Sequence, residues 1–278
     1  MKKILFVKSV FCPNETYFKI SIESLIQNIE SIMSIVSIIP KKEDIYVYLY
    51  CLGWISNFSD IFELILSYIE CPFDRFFTDL WKINYGKYKI FNSIIDFKLD
   101  YDYLIYLDHD INFYSNFYDL IALSDCKIFG KSIGLIMFNQ KGDNRHHVNN
   151  LDKKIVMNNI KIKWNNNNIN EKSLACGAFC ASYNVIKNID KLKVISVYGL
   201  DDYNLLSNVK LKGYVNILAK NVYVFHPFDK CVEYCNWKKA NVIKSIYGMN
   251  YNENIQDSIN LWNLINHNSK KIHYITKN

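Results

Sequence analysis

The chain has 278 residues, half of them hydrophobic and 22% charged, which excludes disorder along its length and leaves room for one large α/β domain. Its 33 basic and 27 acidic residues give a net charge of +6, enough for an anionic partner but short of a dedicated nucleic-acid-binding domain. No apolar run reaches the ~18 residues of a membrane span. The start, MKKILFV, offers only Ile4 to Val7 before Lys8 intervenes, too short for a signal peptide, so the expectation is a cytoplasmic protein with reduced cysteines.

In chain order, residues 3–10 read as a strand. Asn14 is placed to cap the helix that follows. Phe18, Ile22, Leu25, Ile26, Ile29, Ile32, Met33 and Val36 recur at three- and four-residue spacing, and Pro40 closes this helix. Asp44 to Leu52 (DIYVYLYCL) is a continuous aromatic and β-branched run, as in a strand covered on both faces. Helices are expected over 61–69 and 87–97, and a buried strand over 102–107 (DYLIYL). Strands alternating with helices predict a mostly parallel sheet with helices on both faces.

Over 139–172 the periodicity collapses into polar stretches (QKGDNRHHVNN, WNNNNINEK). This segment reads as a loop or lid with strand around 160–164, and it holds the densest part of an unusual asparagine content, 34 residues in all. Beyond it, 174–181 is apolar and small. A helix is expected over 201–212 with Gly213 as its C′ residue, then short strands over 214–218 and 222–225. The tail over 229–278 reads as a helical extension of the same domain. The pairs Cys176/Cys180 and Cys231/Cys235 have C-x3-C spacing, unlike the C-x2-C of zinc knuckles, and do not make a convincing zinc site.

Three strings carry chemistry. The buried strand DYLIYL delivers Asp108 and Asp110 at its carboxyl end, where open α/β sheets bind ligands. Two acids leaving a strand two residues apart want a counter-ion, and hard oxygen ligands suit Mg²⁺ or Mn²⁺. The alternative reading is a solvated turn. Asp201 and Asp202 enter a helix, where they serve either as N-caps or as a general base for an acceptor hydroxyl. His226 ends the string VYVFH, as a structural histidine or as a metal ligand.

Taken together, NYGKYKIFNSII (84–95), LIYLDHD (104–110), CGAFCASYNVI (176–186), GLDDYNLLSNVKLKGY (199–214) and VYVFH (222–226) resemble, in order and spacing, the GT-A glycosyltransferases, most closely the family-2-like group. The resemblance spans roughly residues 3–228. It implies a GT-A (Rossmann-like) domain over 1–228 that uses a nucleotide-sugar donor with Mn²⁺ or Mg²⁺. Asp110 would coordinate the metal, Asp108 would contact the donor ribose or the metal, and His226 would be a further metal ligand. Asp202 would be the base, with Asp201 in the place of the family's Glu. Gly177 and Ala178 would line the donor-sugar and acceptor side, and Asn84, Gly86 and Lys87 would lie near the nucleotide. The family's second strand ends in an acid that reads the nucleobase. The corresponding LYCLGWIS (49–56) has none, so the base stays open.

The implied activity is transfer of a sugar to a hydroxyl, inverting if Asp202 acts in line. The acceptor is a glycan, glycoprotein or lipid-linked sugar, with a modified nucleic-acid base as an alternative. Two rival readings are a haloacid-dehalogenase-like phosphohydrolase, which also places Asp-x-Asp after an apolar strand, and a non-catalytic carbohydrate-binding relative.

Overall fold

A computed structural model describes residues 1–12, 15–39, 44–55, 74–77, 86–114, 117–141, 153–157, 160–164, 176–192 and 201–226. The expectations for Asn14, Pro40, 61–69, Asn84 and the 229–278 extension lie outside these residues.

Strands β1 (Lys2–Cys12), β2 (Ile45–Ile55), β3 (Asp74–Phe77) and β4 (Tyr103–Leu107) form a parallel half-sheet in the order β3-β2-β1-β4. The other half continues through β10 (Ala178–Ser182), β7 (Lys131–Lys141), β11 (Val215–Phe225), β9 (Ile160–Trp164) and β8 (Lys153–Met157). β10 runs antiparallel to both β4 and β7, and β11 is parallel to β7. β4, β7 and β11 therefore share one direction, and their carboxyl ends share one edge of the sheet. Two short strands are accessory: β5 (Asn112–Phe113) pairs with β11, and β6 (Lys127–Ile128) pairs with β7.

Helices cover both faces. On one side α1 (Glu15–Ile38) buries Ile22, Leu25, Ile29 and Ile32, as the spacing predicts, and Ile35, against Ile4, Phe6 and Val10 of β1, while Met33, expected on the same stripe, is exposed. Helix α3 (Tyr118–Ser124) packs Leu120, Ile121 and Leu123 into the same layer. On the other side lie α2 (Gly86–Phe97), α4 (Tyr183–Asn188) and α5 (Asp201–Leu211), over Leu5, Val7, Leu104 and Tyr106. The period of two in β1 thus sends even-numbered residues under α1 and odd-numbered ones under α2.

Two expectations are refined. The strands expected over 214–218 and 222–225 are one strand, β11, whose register with β7 shifts between Ala219 and Tyr223. The bulge separates two pairing stretches without ending the strand. Part of the 139–172 segment is also sheet: β7 extends to Lys141, and β8 and β9 form a hairpin joined to β11 through β9. Only the β9 part was legible, because backbone pairing here joins segments with no sustained alternation.

Gly134 sets how closely α5 approaches the sheet. A Cβ there would stand 2.4 Å from Val209 Cγ1 and 2.8 Å from Asn216 Oδ1. Asn216 ties the helix down: its Nδ2 donates to the Leu206 carbonyl (2.9 Å), and its Oδ1 accepts from the Leu135 amide (3.0 Å). The helix ends at Gly213, whose φ of 89° is the left-handed C′ conformation expected from the sequence. Among the described residues no helix is long and apolar enough to cross a membrane.

Candidate active site

The helix periodicity that builds the core also delivers the polar residues. In α2, Lys87 precedes the buried Ile90, Phe91 and Ile94 on one stripe. In α5, Asp202 precedes Leu205, Leu206 and Val209 in the same way. Each helix therefore starts its sheet-facing stripe with a charge, and both charges meet Asp108 at the carboxyl end of β4. Lys87 Nζ lies 2.5 Å from Asp202 Oδ1 and 3.3 Å from Asp108 Oδ2. Its amide donates to Asp201 Oδ2 (3.4 Å). The other oxygen of Asp202 accepts from the Cys176 amide (3.1 Å), just before β10.

Asp108 is held from its own strand as well. Tyr106, two residues earlier on the same face, donates its hydroxyl to Asp108 Oδ1 (2.7 Å). The Tyr106 ring stacks on Phe179 at 5.3 Å and packs on Phe91 at 5.4 Å, which fixes the hydroxyl's position. The Asp108 amide donates to the Gly177 carbonyl (2.7 Å). A Cβ on Gly177 would come within 2.8 Å of Ile111 Cδ1, 3.0 Å of Gln140 Nε2 and 3.2 Å of Asp108 Oδ2, so glycine is what lets this backbone pack directly against that carboxylate.

Asp110 lies past the turn, buried at 3% exposure. Because β5 pairs antiparallel with the end of β11, Phe225 opposite Asn112, His226 arrives next to Asp110. His226 Nε2 is 3.4 Å from Asp110 Oδ1, and His109 Nε2 is 3.7 Å from Oδ2.

The electrostatics follow from burial and these contacts. Burial disfavours the Lys87 ammonium, yet the carboxylates of Asp108, Asp202 and Asp201 hold its pKa well above the ordinary value. Burial likewise acts to raise Asp108, but the Lys87 ammonium and the Tyr106 hydroxyl bring its carboxyl below the ordinary value. Burial pushes Asp202 up, and the neighbouring Asp201 and Asp108 add to this against the pull of Lys87. Burial and the Asp108 carboxylate raise the Tyr106 hydroxyl well above its usual range.

The structure thus brings together Lys87, Asp108, Asp110, Gly177, Asp201, Asp202 and His226. Gly86 opens α2. Ala178 is fully buried in the core layer under α1 and takes no part in the surface beside Asp108. Cys176 and Cys180 fall in the two opposite core layers, so they cannot share a zinc ion.

Sequence reading missed Tyr106, His109 and Lys8. Tyr106 carries a signal, since i−2 on a strand shares the face of Asp108. Lys8 carries a stronger one: it is a lone cation inside the apolar strand ILFVKSVF.

Among the described residues no cluster of three or more His, Cys, Asp or Glu side chains forms a ready metal cage. Asp110 and His226 offer a carboxylate and an imidazole side by side, a mixed donor set that suits Mn²⁺ better than Mg²⁺, which prefers oxygen ligands throughout. The chemistry of the residues fits such an ion.

No protein-family model and no curated protein matches the chain. Solved structures do. The chain is similar to a mannosyltransferase from Pyrobaculum calidifontis in complex with GDP-Man and Mn²⁺ (TM-score 0.55, 11% identity, 84% of this chain and 59% of that one). It is similar to residues 1–349 of S. aureus TarS in complex with UDP (TM-score 0.51, 12% identity, 83% and 61%). It is also similar to GalNAc-T7 with UDP, GalNAc and Mn²⁺ (TM-score 0.50, 10% identity, 81% and 44%). The chain spans about three fifths of the length of the first two. At such identities the likeness is one of fold: the chain has the GT-A fold, with its acidic residues at the carboxyl edge of the parallel strands.

Proposed function

We propose that this chain is a metal-dependent glycosyltransferase that moves a sugar from a nucleotide-sugar donor to an acceptor hydroxyl. The observation that carries the reading is the meeting of Asp108, Asp110, His226, Lys87 and Asp202, from four distant segments, at the sheet edge where α/β folds bind ligands. Two of the similar structures hold Mn²⁺, and all three hold a nucleotide or nucleotide sugar, which supports the same class of donor here.

Asp110 and His226 would hold the cation, whose charge would offset that of a departing diphosphate. Lys87, as the counter-ion of Asp108 and Asp202, would keep both carboxylates in place beside the nucleotide. Asp108, whose amide is held by the Gly177 carbonyl, would contact the donor's ribose. Asp202 takes the proton from the acceptor hydroxyl, and its raised pKa makes it a better base than an exposed carboxylate. A base acting in line from that position inverts the anomeric carbon. Asp201, which accepts from the Lys87 amide, keeps the two helix starts together. The acceptor class we propose is a glycan, glycoprotein or lipid-linked sugar.

The test is a donor screen. UDP-, GDP- and TDP-sugars are incubated with the protein and Mn²⁺, and free nucleoside diphosphate is measured. Release that EDTA abolishes is expected for at least one donor. The absence of both turnover and binding for every nucleotide sugar tested would refute the reading.

A further inference from the structure

Lys8 is 1% exposed and stands at the last rung of the β1–β4 ladder, opposite Leu107. Its even-numbered neighbours in the strand interior are apolar and buried: Ile4, Phe6 and Val10. A lysine in such a strand costs stability unless its ammonium is matched by hydrogen bonds. It is matched by the turn that carries the acids. Lys8 Nζ donates to the carbonyls of Asp108 (2.7 Å) and Ile111 (3.0 Å) and to Ser24 Oγ (2.8 Å).

Helix α1 adds to the grip. Ser24 Oγ donates to the Ile111 carbonyl (2.9 Å), and Asn28 Nδ2 donates to the same oxygen (2.9 Å). Asn28 Oδ1 accepts from the Phe113 amide (2.7 Å). Ser24 and Asn28 are one helical turn apart and buried, so both face the turn from below. Gln27 Nε2 donates to the Phe113 carbonyl (3.1 Å), so the backbone of 108–113 is held on its α1 side by four side chains, Lys8, Ser24, Gln27 and Asn28. Its other side carries the carboxylate of Asp110 toward His226.

We propose that Lys8, with Ser24 and Asn28, is a positioning clamp for the Asp108–Ile111 turn and sets the cation affinity of Asp110. This rests on the metal reading given above. The clamp acts through main-chain carbonyls. Its contribution is therefore geometric, and the sign of its removal separates it from a charge effect. Deleting a nearby positive charge alone would tighten a divalent cation, whereas loosening the turn weakens it.

The test measures Mn²⁺ affinity by electron paramagnetic resonance of the free ion, together with hydrogen exchange of the 108–113 amides in metal-free protein. The variants are Lys8→Met, Ser24→Ala and, as a control on α1 away from the turn, Ile32→Ala. The expected result is Mn²⁺ binding weakened about 10- to 100-fold in Lys8→Met, the usual effect of losing a ligand's supporting partner. Ser24→Ala should show a smaller loss of the same sign, and exchange at Ile111 and Phe113 should be faster in both. Ile32→Ala should bind Mn²⁺ within twofold of wild type despite a comparable loss of stability. Should Lys8→Met fail to fold, Ser24→Ala reads the same clamp. Unchanged or tighter Mn²⁺ binding in the clamp variants, beside a wild type that binds, would overturn the proposal. Wild type that binds no Mn²⁺ refutes the metal reading and the clamp's role in affinity together. The exchange arm, which needs no metal, still shows separately whether the turn is clamped.

Discussion

Replacing Lys87 by methionine keeps the volume of the side chain and removes the cation between Asp108 and Asp202. At the observed 2.5 and 3.3 Å and an effective dielectric constant of about 20, the gross attractions are about 7 and 5 kcal/mol. Most of this is offset by the desolvation of three groups, so the gross figure overstates the net effect. What the variant leaves behind decides the outcome. Two carboxylates, at 25% and 28% side-chain exposure, face each other without a counter-ion, and the cheapest response is to protonate one. Taking up that proton costs about 1.36 kcal/mol per pH unit above the ordinary aspartate pKa, hence about 1.5 kcal/mol at pH 5 and up to about 5 at pH 7.5. The direct penalty for stripping one partner from a buried pair is about 3–5 kcal/mol, which sets the same ceiling.

The direction of the pH dependence follows. In the wild type Asp108 is held below its ordinary pKa, so its contribution is present above that value and is lost as pH falls through the lowered one. In Lys87→Met the carboxyl pair is raised instead, so stability is retained in acid and lost as pH rises toward neutrality. Urea unfolding at pH 5.0 and 7.5 should therefore show a loss of about 1–2 kcal/mol at the lower pH and about 3–5 at the higher. Adding Asp202→Asn should recover much of the loss at pH 7.5. A loss under about 1 kcal/mol that does not vary with pH would refute the argument that Lys87 is the counter-ion of this pair.

Gly177→Ala should cost about 1–3 kcal/mol in urea unfolding and weaken donor binding together, because its Cβ would overlap the buried Ile111 and crowd the Asp108 carboxylate. Gly134→Ala should cost a similar amount by calorimetry, since its Cβ would overlap Val209 and Asn216 in the α5–β7 contact, and should leave donor KM unchanged. Asp110→Asn should abolish Mn²⁺ binding in a titration. Asp202→Asn should leave Mn²⁺ binding within twofold while lowering kcat about 10²- to 10⁴-fold, and equal loss of metal binding in both would contradict the division of roles. The Cys180 thiol, which burial pushes up to about 12, should resist alkylation at pH 8 in native protein, as read by peptide mass spectrometry. Its folded-state pKa lies above the ordinary 9.0, so its contribution to stability is intact below that value and fades as pH rises toward about 12.

The periodic segments were legible in the chain itself. The three- and four-residue spacing over 18–36 is α1, the apolar run DYLIYL is β4, and Gly213 ends α5, because each of these depends on neighbours within a turn or a strand. The candidate acids were legible too, since a carboxylate after a buried strand is a local contradiction that needs a partner. Who that partner is could not be read locally. Lys87 lies 115 residues from Asp202, and only the packing of α2 and α5 on the same face of the sheet makes the pair. The same holds for Lys8 and the Asp108 carbonyl, 100 residues apart and joined by the β1–β4 ladder, and for His226, brought to Asp110 by the pairing of β5 with β11. The continuity of β11 across its bulge and the β8–β9 hairpin at the sheet edge were likewise decided by strand pairing, which local hydrophobic pattern specifies weakly when polar residues dominate. Sequence alone thus determined which residues bear charge at the ends of buried elements, and the tertiary structure decided which of those charges neutralise one another, because in a buried site that pairing is set by distance.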